Sequence, residues 1–320
     1  MSKAKFLYRE DYPVVSTTAG KVRGYVWDDT VTFKGIPYAA AKRFQKPEPV
    51  KPWEGVKDVQ SYGMVCPLMD QDRPHGELLM PHMYWPMDEN CQYLNVWTPS
   101  IDPKAKRPVM VWLHGGGFFA GSSIEQLAYE GTAMSKYGDV VVVSLNHRLN
   151  VLDLSPFGEK YEGSANAGNL DLIAALSWVQ ENIRNFGGDP DNVTIFGQSG
   201  GGMKVWTLMQ MPQADGLFQK GIIESGVYRI HEDCEKDGEE IVTAMLRELS
   251  LSREQVEELE TIPYAKLAES YKKAAPKVRE HGGYVGNAPH KDSSYVGDPT
   301  IYGFRKHAKQ IPLLIGTVLG

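Results

Sequence analysis

Two short stretches carry residues whose types and spacing suit nucleophilic chemistry. Gly197-Gln198-Ser199-Gly200-Gly201 is a G-x-S-x-G pattern, preceded by the β-prone run Val193 to Phe196 and followed by Gly202 to Met209, which can form a helix. A strand, a tight turn and a helix in that order set a serine hydroxyl at the apex of a sharp bend. Glycines on both sides remove side chains that would clash there. The helix N-terminus then offers amide donors and its dipole to the same spot. Taken alone, the pattern also describes a glycine-rich loop that binds phosphate or nothing. The second stretch, His114-Gly115-Gly116-Gly117-Phe118, follows an apolar run ending at Leu113. Its glycines leave backbone amides unshielded, and negative charge developing on a carbonyl oxygen needs fixed donors of that kind. In isolation it is also an ordinary loop. Both stretches at the ends of neighbouring strands point to acyl transfer at the carboxyl edge of a sheet.

The elements that must position them follow from the apolar pattern. Residues 108–113, 140–145, 193–196, 221–224 and 312–315 are short, nearly continuous apolar runs. Such runs are buried on both faces and imply a parallel sheet with covering helices, an α/β architecture. Leu172, Leu176, Val179, Ile183 and Phe186 recur every three or four residues and predict one helical stripe, ended by Gly187-Gly188-Asp189-Pro190. Residues 14–18, 21–27 and 30–36 read as N-terminal antiparallel strands, with turns at Ala19-Gly20 and Asp28-Asp29. The proline-rich stretch 37–52 reads as ordered surface coil anchored by Phe44 and Trp53. Residues 232–281 form a charge-rich helical excursion, with Ser252 and Gln255 spaced as a capping box. That excursion is either part of a lid or an amphipathic surface helix pair. The whole, 1–320, reads as a single domain.

With these motifs in hand, the chain resembles the type-B carboxylesterase and cholinesterase-like branch of the α/β-hydrolases. The resemblance extends through residues 33–39, 88–99, 178–183, 186–190, 193–199 and 224–226, and spans about residue 13 to the end. It implies a mostly parallel central sheet flanked by helices, Ser199 as nucleophile, and the amides of Gly116, Gly117 and Gly200 as oxyanion donors. It implies Ser225 as a neighbour of the catalytic acid. Cys66 and Cys91 match a pair that secreted relatives join as a disulfide around an omega loop. That loop here carries Met69, Met80, Met83, Tyr84, Trp85 and Met87. Tyr84, Trp85 and Phe118 are candidate walls of an apolar pocket for a small-molecule ester; a methionine-rich packing surface without ligand contact is the alternative. The resemblance implies no metal and no organic cofactor.

The chain departs from the family pattern twice. Residues 146–154 are short by about three residues in a loop near the site, which is a small apparent deletion around Val151 to Asp153. The family orders its triad as serine, acid, histidine, with the acid a few residues after an Ile-Gly pair. Here Ile315-Gly316 stands at the C-terminal end, so the acid and the histidine both fall beyond residue 320. His290 and His307, with Asp292 and Asp298 nearby, read as surface groups rather than a substitute triad. The expectation is an incomplete, C-terminally truncated α/β-hydrolase domain that is inactive alone and is completed by a missing C-terminal segment. A catalytically dead esterase-like binding protein and a hormone-sensitive-lipase-like esterase are the alternatives.

Composition narrows the rest. The 320 residues hold 34 Lys and Arg against 40 Asp and Glu, a net charge of −6, with no basic surplus for nucleic acid. No stretch approaches the roughly 18 apolar residues of a membrane span, and the charged start is no signal-peptide core. The three cysteines lack metal-ligand spacing and are too few for a disulfide scaffold. A cytoplasmic protein with free thiols is expected.

Overall fold

The apolar runs assemble into one large sheet. The structure, a computed structural model, describes residues 5–69, 82–154, 161, 166–227, 238–286 and 288–318. In chain order the strands are β1 (Phe6–Leu7), β2 (Val14–Ser16), β3 (Lys21–Arg23), β4 (Tyr25–Trp27), β5 (Thr30–Pro37) and β6 (Val56–Asp58). They continue as β7 (Tyr93–Thr98), β8 (Arg107–Leu113), β9 (Val141–Leu145), β10 (Gly188–Gln198), β11 (Lys220–Glu224) and β12 (Leu313–Gly316). The nine-stranded sheet has the order β1-β4-β5-β7-β9-β8-β10-β11-β12, beside a small sheet β2-β3-β6. From β9 through β8, β10 and β11 to β12 every pairing is parallel. From β1 through β4, β5 and β7 to β9 every pairing is antiparallel. The sheet is therefore evenly mixed rather than mostly parallel. The difference lies in β1 and β7, which the sequence reading does not identify as strands and whose pairings are all antiparallel.

The helices are α1 (Thr132–Gly138), α2 (Ala167–Asn182), α3 (Gly200–Leu208), α4 (Glu239–Glu248), α5 (Tyr264–Glu280) and α6 (Pro299–Tyr302). The predicted stripe lies on α2 and the 3₁₀ turn Ile183–Phe186 that continues it, and all five of its residues are 0% exposed. Phe186 closes the stripe edge-on against Phe33 of β5, with ring centroids 4.9 Å apart. On the opposite sheet face Met110, Trp112 and Ile222 are only half-buried, and Leu314 on β12 is 66% exposed. Among the described residues no helix is long and apolar enough to cross a membrane.

A second core joins the helical excursion to the body. It packs apolar residues of α4 and α5 with Phe44, Cys66, Met69, Cys91 and the loop Leu149 to Leu154. Residues 228–237, with the start of the excursion and Cys234, lie outside the described residues. The Ser252–Gln255 box opens a 3₁₀ segment, Arg253–Glu260, rather than an α-helix, and Pro263 bars its continuation. Arg43 holds this region by donating to the carbonyls of Leu259 at 2.8 Å and Ile262 at 2.6 Å while paired with Glu89. Cys66 and Cys91 are buried free thiols.

Because Leu176 is fully enclosed on the α2 stripe, Leu176→Ala is expected to lower the unfolding free energy by about 2–5 kcal/mol. Urea titration measures this, and a loss below about 1 kcal/mol would contradict the packing.

Candidate active site

Parallel register brings the two chemistry-bearing stretches together. On β10, Gly197 pairs with Leu113 of β8, and Gln198 pairs with Glu224 of β11. Ser199 therefore leaves the sheet between the loops that follow β8 and β11, at the carboxyl ends of all three strands. Its backbone takes φ 54° and ψ −121°, a conformation that L side chains rarely adopt. Strain of this kind costs about 1–3 kcal/mol and persists only where the surroundings enforce it. Here the Ser199 amide donates to the Glu224 carbonyl at 2.8 Å, and the Ser199 carbonyl accepts from Met203 at 3.0 Å. The side chain is exposed. Helix α3 begins immediately and sits hard against the β8 loop. A Cβ on Gly201 would lie 2.0 Å from the Leu113 carbonyl oxygen.

The glycine loop is fixed by its carbonyls. The Gly115 carbonyl meets His114 Nδ1 at 2.8 Å, and the Gly116 carbonyl accepts from Phe119 at 3.2 Å and Ala120 at 3.0 Å. In a trans peptide the N–H points opposite to the carbonyl. Pinning the carbonyls of Gly115, Gly116 and Ser199 thus turns the amides of Gly116, Gly117 and Gly200 the other way. None of these three amides finds an acceptor among the described residues. Gly116 and Gly117 need φ of 89° and 63°, the left-handed region that glycine enters without penalty. Gly116 is exposed and Gly117 half-buried, so both remain accessible to a ligand. Gly200 packs so closely on this loop that a Cβ there would lie 2.1 Å from the Gly117 nitrogen.

Beneath the loop lies a buried polar layer. His114 and His147 stack at 5.1 Å, and each Nδ1 meets a backbone carbonyl, Gly115 for the first and Arg148 for the second. A carbonyl only accepts, so each ring carries its proton on Nδ1. Burial drives both imidazoles well below the usual histidine range, and the Lys204 charge adds to this, so both rings are neutral. Lys204 of α3 is 0% exposed and donates to the His114 carbonyl at 2.8 Å. Sequence reading missed this residue, because a lysine on a helix is ordinarily a solvent group. The local signal is its place in Gly202-Met203-Lys204-Val205, a turn otherwise apolar or small. Asp153 is pushed up to about 8 by burial, despite accepting from Gly168 at 2.7 Å. Arg148 and Asp171 form a buried ion pair at 2.7 Å.

The other predicted positions are spread around this centre. Ser225 follows β11 with φ 51°, donates its amide to Gly316 at 2.7 Å, and its Oγ accepts from Val318 at 3.4 Å. Phe118 is buried in the main core rather than open to a pocket. Trp85 stacks edge-on against Tyr62 and bonds its carbonyl, and Tyr84 is 52% exposed. Met80 lies outside the described residues, as do His75 and His231. The loop after β9, where the sequence is short, is buried from Leu149 to Leu152, and its continuation 155–160 lies outside the described residues. Asp298 caps α6 through Thr300 at 2.8 Å, Asp292 holds Ser294 and Tyr295, and His307 stands 4.0 Å from Asp215. These carboxylates serve local turns rather than Ser199. No histidine or carboxylate among the described residues hydrogen-bonds to Ser199 Oγ.

A profile of the Carboxylesterase family matches residues 11–319. The chain belongs to the carboxylesterase family. Among its curated members, para-nitrobenzyl esterase of Bacillus subtilis (strain 168) is 42% identical over 276 residues, covering 84% of this chain and 53% of that protein. Carboxylesterase 1C of Rattus norvegicus is 40% identical over 256 residues, covering 74% of this chain and 45% of its own length. Among solved carboxylesterase structures, an esterase from anaerobic Clostridium hathewayi that can hydrolyze aliphatic aromatic polyesters superposes with a TM-score of 0.95. It is 56% identical and covers 99% of this chain and 64% of its own. A structure of PNB esterase gives a TM-score of 0.81 at 36% identity, covering 96% and 63%. The chain thus spans about half the length of the curated carboxylesterases it matches.

With the Leu113 oxygen 2.0 Å from where a Gly201 methyl would sit, Gly201→Ala is expected to cost about 1–3 kcal/mol in urea unfolding. An unchanged midpoint would contradict the close seating of α3.

Proposed function

We propose that these residues form the nucleophile and oxyanion half of a serine carboxylesterase acting on small-molecule esters. Ser199 Oγ attacks the ester carbonyl, and the oxygen that becomes negative accepts hydrogen bonds from the Gly116, Gly117 and Gly200 amides. The alcohol departs, leaving an acyl group on Ser199, and water releases the acid. The observation that carries this reading is the exposed serine in a strained turn beside three amides whose carbonyls are tied down. A binding protein needs no such strain, so retention of Ser199 in this turn disfavours the non-catalytic alternative.

A serine hydroxyl is a weak nucleophile until a base takes its proton. In this proposal the base is a histidine, held by an acidic residue near Ser225, and both belong to polypeptide outside the described residues. The edge beside Ser225 is apolar and open, with Leu314 and Ile315 of β12 66% and 50% exposed. Without a base, the donors alone give only a residual rate, roughly 10³–10⁴ over water in the protease template. The buried free thiols of Cys66 and Cys91 suit a reducing cytoplasm. The Clostridium hathewayi relative makes aliphatic aromatic polyester fragments a reasonable substrate to assay beside p-nitrophenyl esters.

The test is a fluorophosphonate probe applied to the full-length polypeptide carrying this sequence. Mass spectrometry is expected to place the label on Ser199. Ser199→Ala is expected to abolish labelling and to lower ester turnover by more than about 10⁴-fold. Labelling elsewhere, or none, would remove the esterase reading.

A further inference from the structure

Lys204 is a buried amine with no carboxylate within ion-pair distance among the described residues. Its Nζ hydrogen-bonds to the His114 carbonyl at 2.8 Å. Burying an amine away from water costs several kcal/mol unless it is well partnered. A methionine of similar length would fill the same space without that cost, so the position favours a hydrogen-bond donor.

The placement says what the donor does. Lys204 lies on α3, the helix that Ser199 opens, and its partner is the first carbonyl of the loop that carries Gly116 and Gly117. Counting along that loop, the His114 carbonyl is held by Lys204, the Gly115 carbonyl by the His114 ring, and the Gly116 carbonyl by the amides of Phe119 and Ala120. The last two anchors come from within the loop or its root. Lys204 alone among the three reaches across to the nucleophile's helix.

We propose that Lys204 is a positioning residue that clamps α3 to the glycine loop through the His114 carbonyl and thereby fixes the Ser199 hydroxyl relative to the Gly116 and Gly117 amides. Lys204 touches neither substrate nor reacting atoms. Burial brings its ammonium down to about 7, opposed by the nearby carboxyls of Asp153 and Glu125, while His114 and His147 face it as neutral rings. Ammonium and free amine both keep N–H donors, so the clamp holds in either form.

The proposal rests on the serine-esterase reading, and its test keeps the two apart. In the full-length polypeptide, Lys204→Met is compared with wild type for kcat and KM on a p-nitrophenyl ester. The same proteins are assayed for inhibition by a trifluoromethyl ketone, which forms an anionic tetrahedral adduct on an active serine. A misaligned oxyanion site is expected to lower kcat roughly 10- to 100-fold with KM within about threefold, and to weaken the ketone by the same factor. A merely structural lysine would lower the melting temperature and leave kcat and ketone affinity per folded molecule unchanged, which would overturn the clamp. Should Lys204→Met yield no folded protein, Lys204→Leu, which also lacks a donor, is read in the same assays and judged by the same two outcomes. Wild-type protein that fails to label with fluorophosphonate would sink the esterase reading itself. Wild-type protein that labels and turns over, beside unaltered Lys204 variants, would sink only the clamp.

Discussion

A peptide unit cannot satisfy its carbonyl and its amide on the same side, and the arrangement around Ser199 depends on that constraint. Three anchoring problems are solved the same way: the oxygen is bonded into the protein and the hydrogen is left facing outward. For the Ser199 carbonyl the partner is the helix itself, for Gly115 it is an imidazole, and for Gly116 it is the next turn of chain. The amides that emerge are fixed before any ligand arrives, and donors that need no reorganisation are worth most to a developing charge. The cost appears at Ser199, whose positive φ is held by bonds to β11 in front and to α3 behind.

This front layer stands on a second layer that is polar yet dry. His114, His147, Arg148, Lys204, Asp153 and Asp171 are nearly all sealed from solvent. Arg148 and Asp171 repay their burial through a bidentate pair, to which Arg148 adds the carbonyls of Lys42 and Gln45. The histidines avoid the problem by staying neutral. A layer of this kind contributes less to stability than an apolar core of the same volume would. It contributes directionality, because each member bonds a particular backbone carbonyl.

Much of this was legible in the residues. The period of the α2 stripe and the five apolar runs located the parallel half of the sheet. The glycine spacing around Ser199 announced a strand, a bend and a helix. Family resemblance supplied the roles that spacing cannot assign. What escaped was of two kinds. Strand β7 was hidden because Tyr93 to Thr98 interleaves apolar residues with Asn95 and Thr98 and lacks the continuous apolar run that marks the five parallel strands. Lys204 was hidden because burial of a charged side chain is decided by tertiary contacts, here with a carbonyl ninety residues away in the chain. The opposite error occurred at Phe118, which adjoins the glycines in sequence but turns into the core.

Acyl transfer at Ser199 requires that its hydroxyl and the three amides converge on one atom. A crystal structure of the full-length polypeptide with a boronic acid bonded to Ser199 measures that directly. One boronate oxygen is expected within about 2.7–3.1 Å of the Gly116, Gly117 and Gly200 nitrogens. An adduct whose oxygens face solvent, or amides bonded to some other group in its presence, would contradict the account.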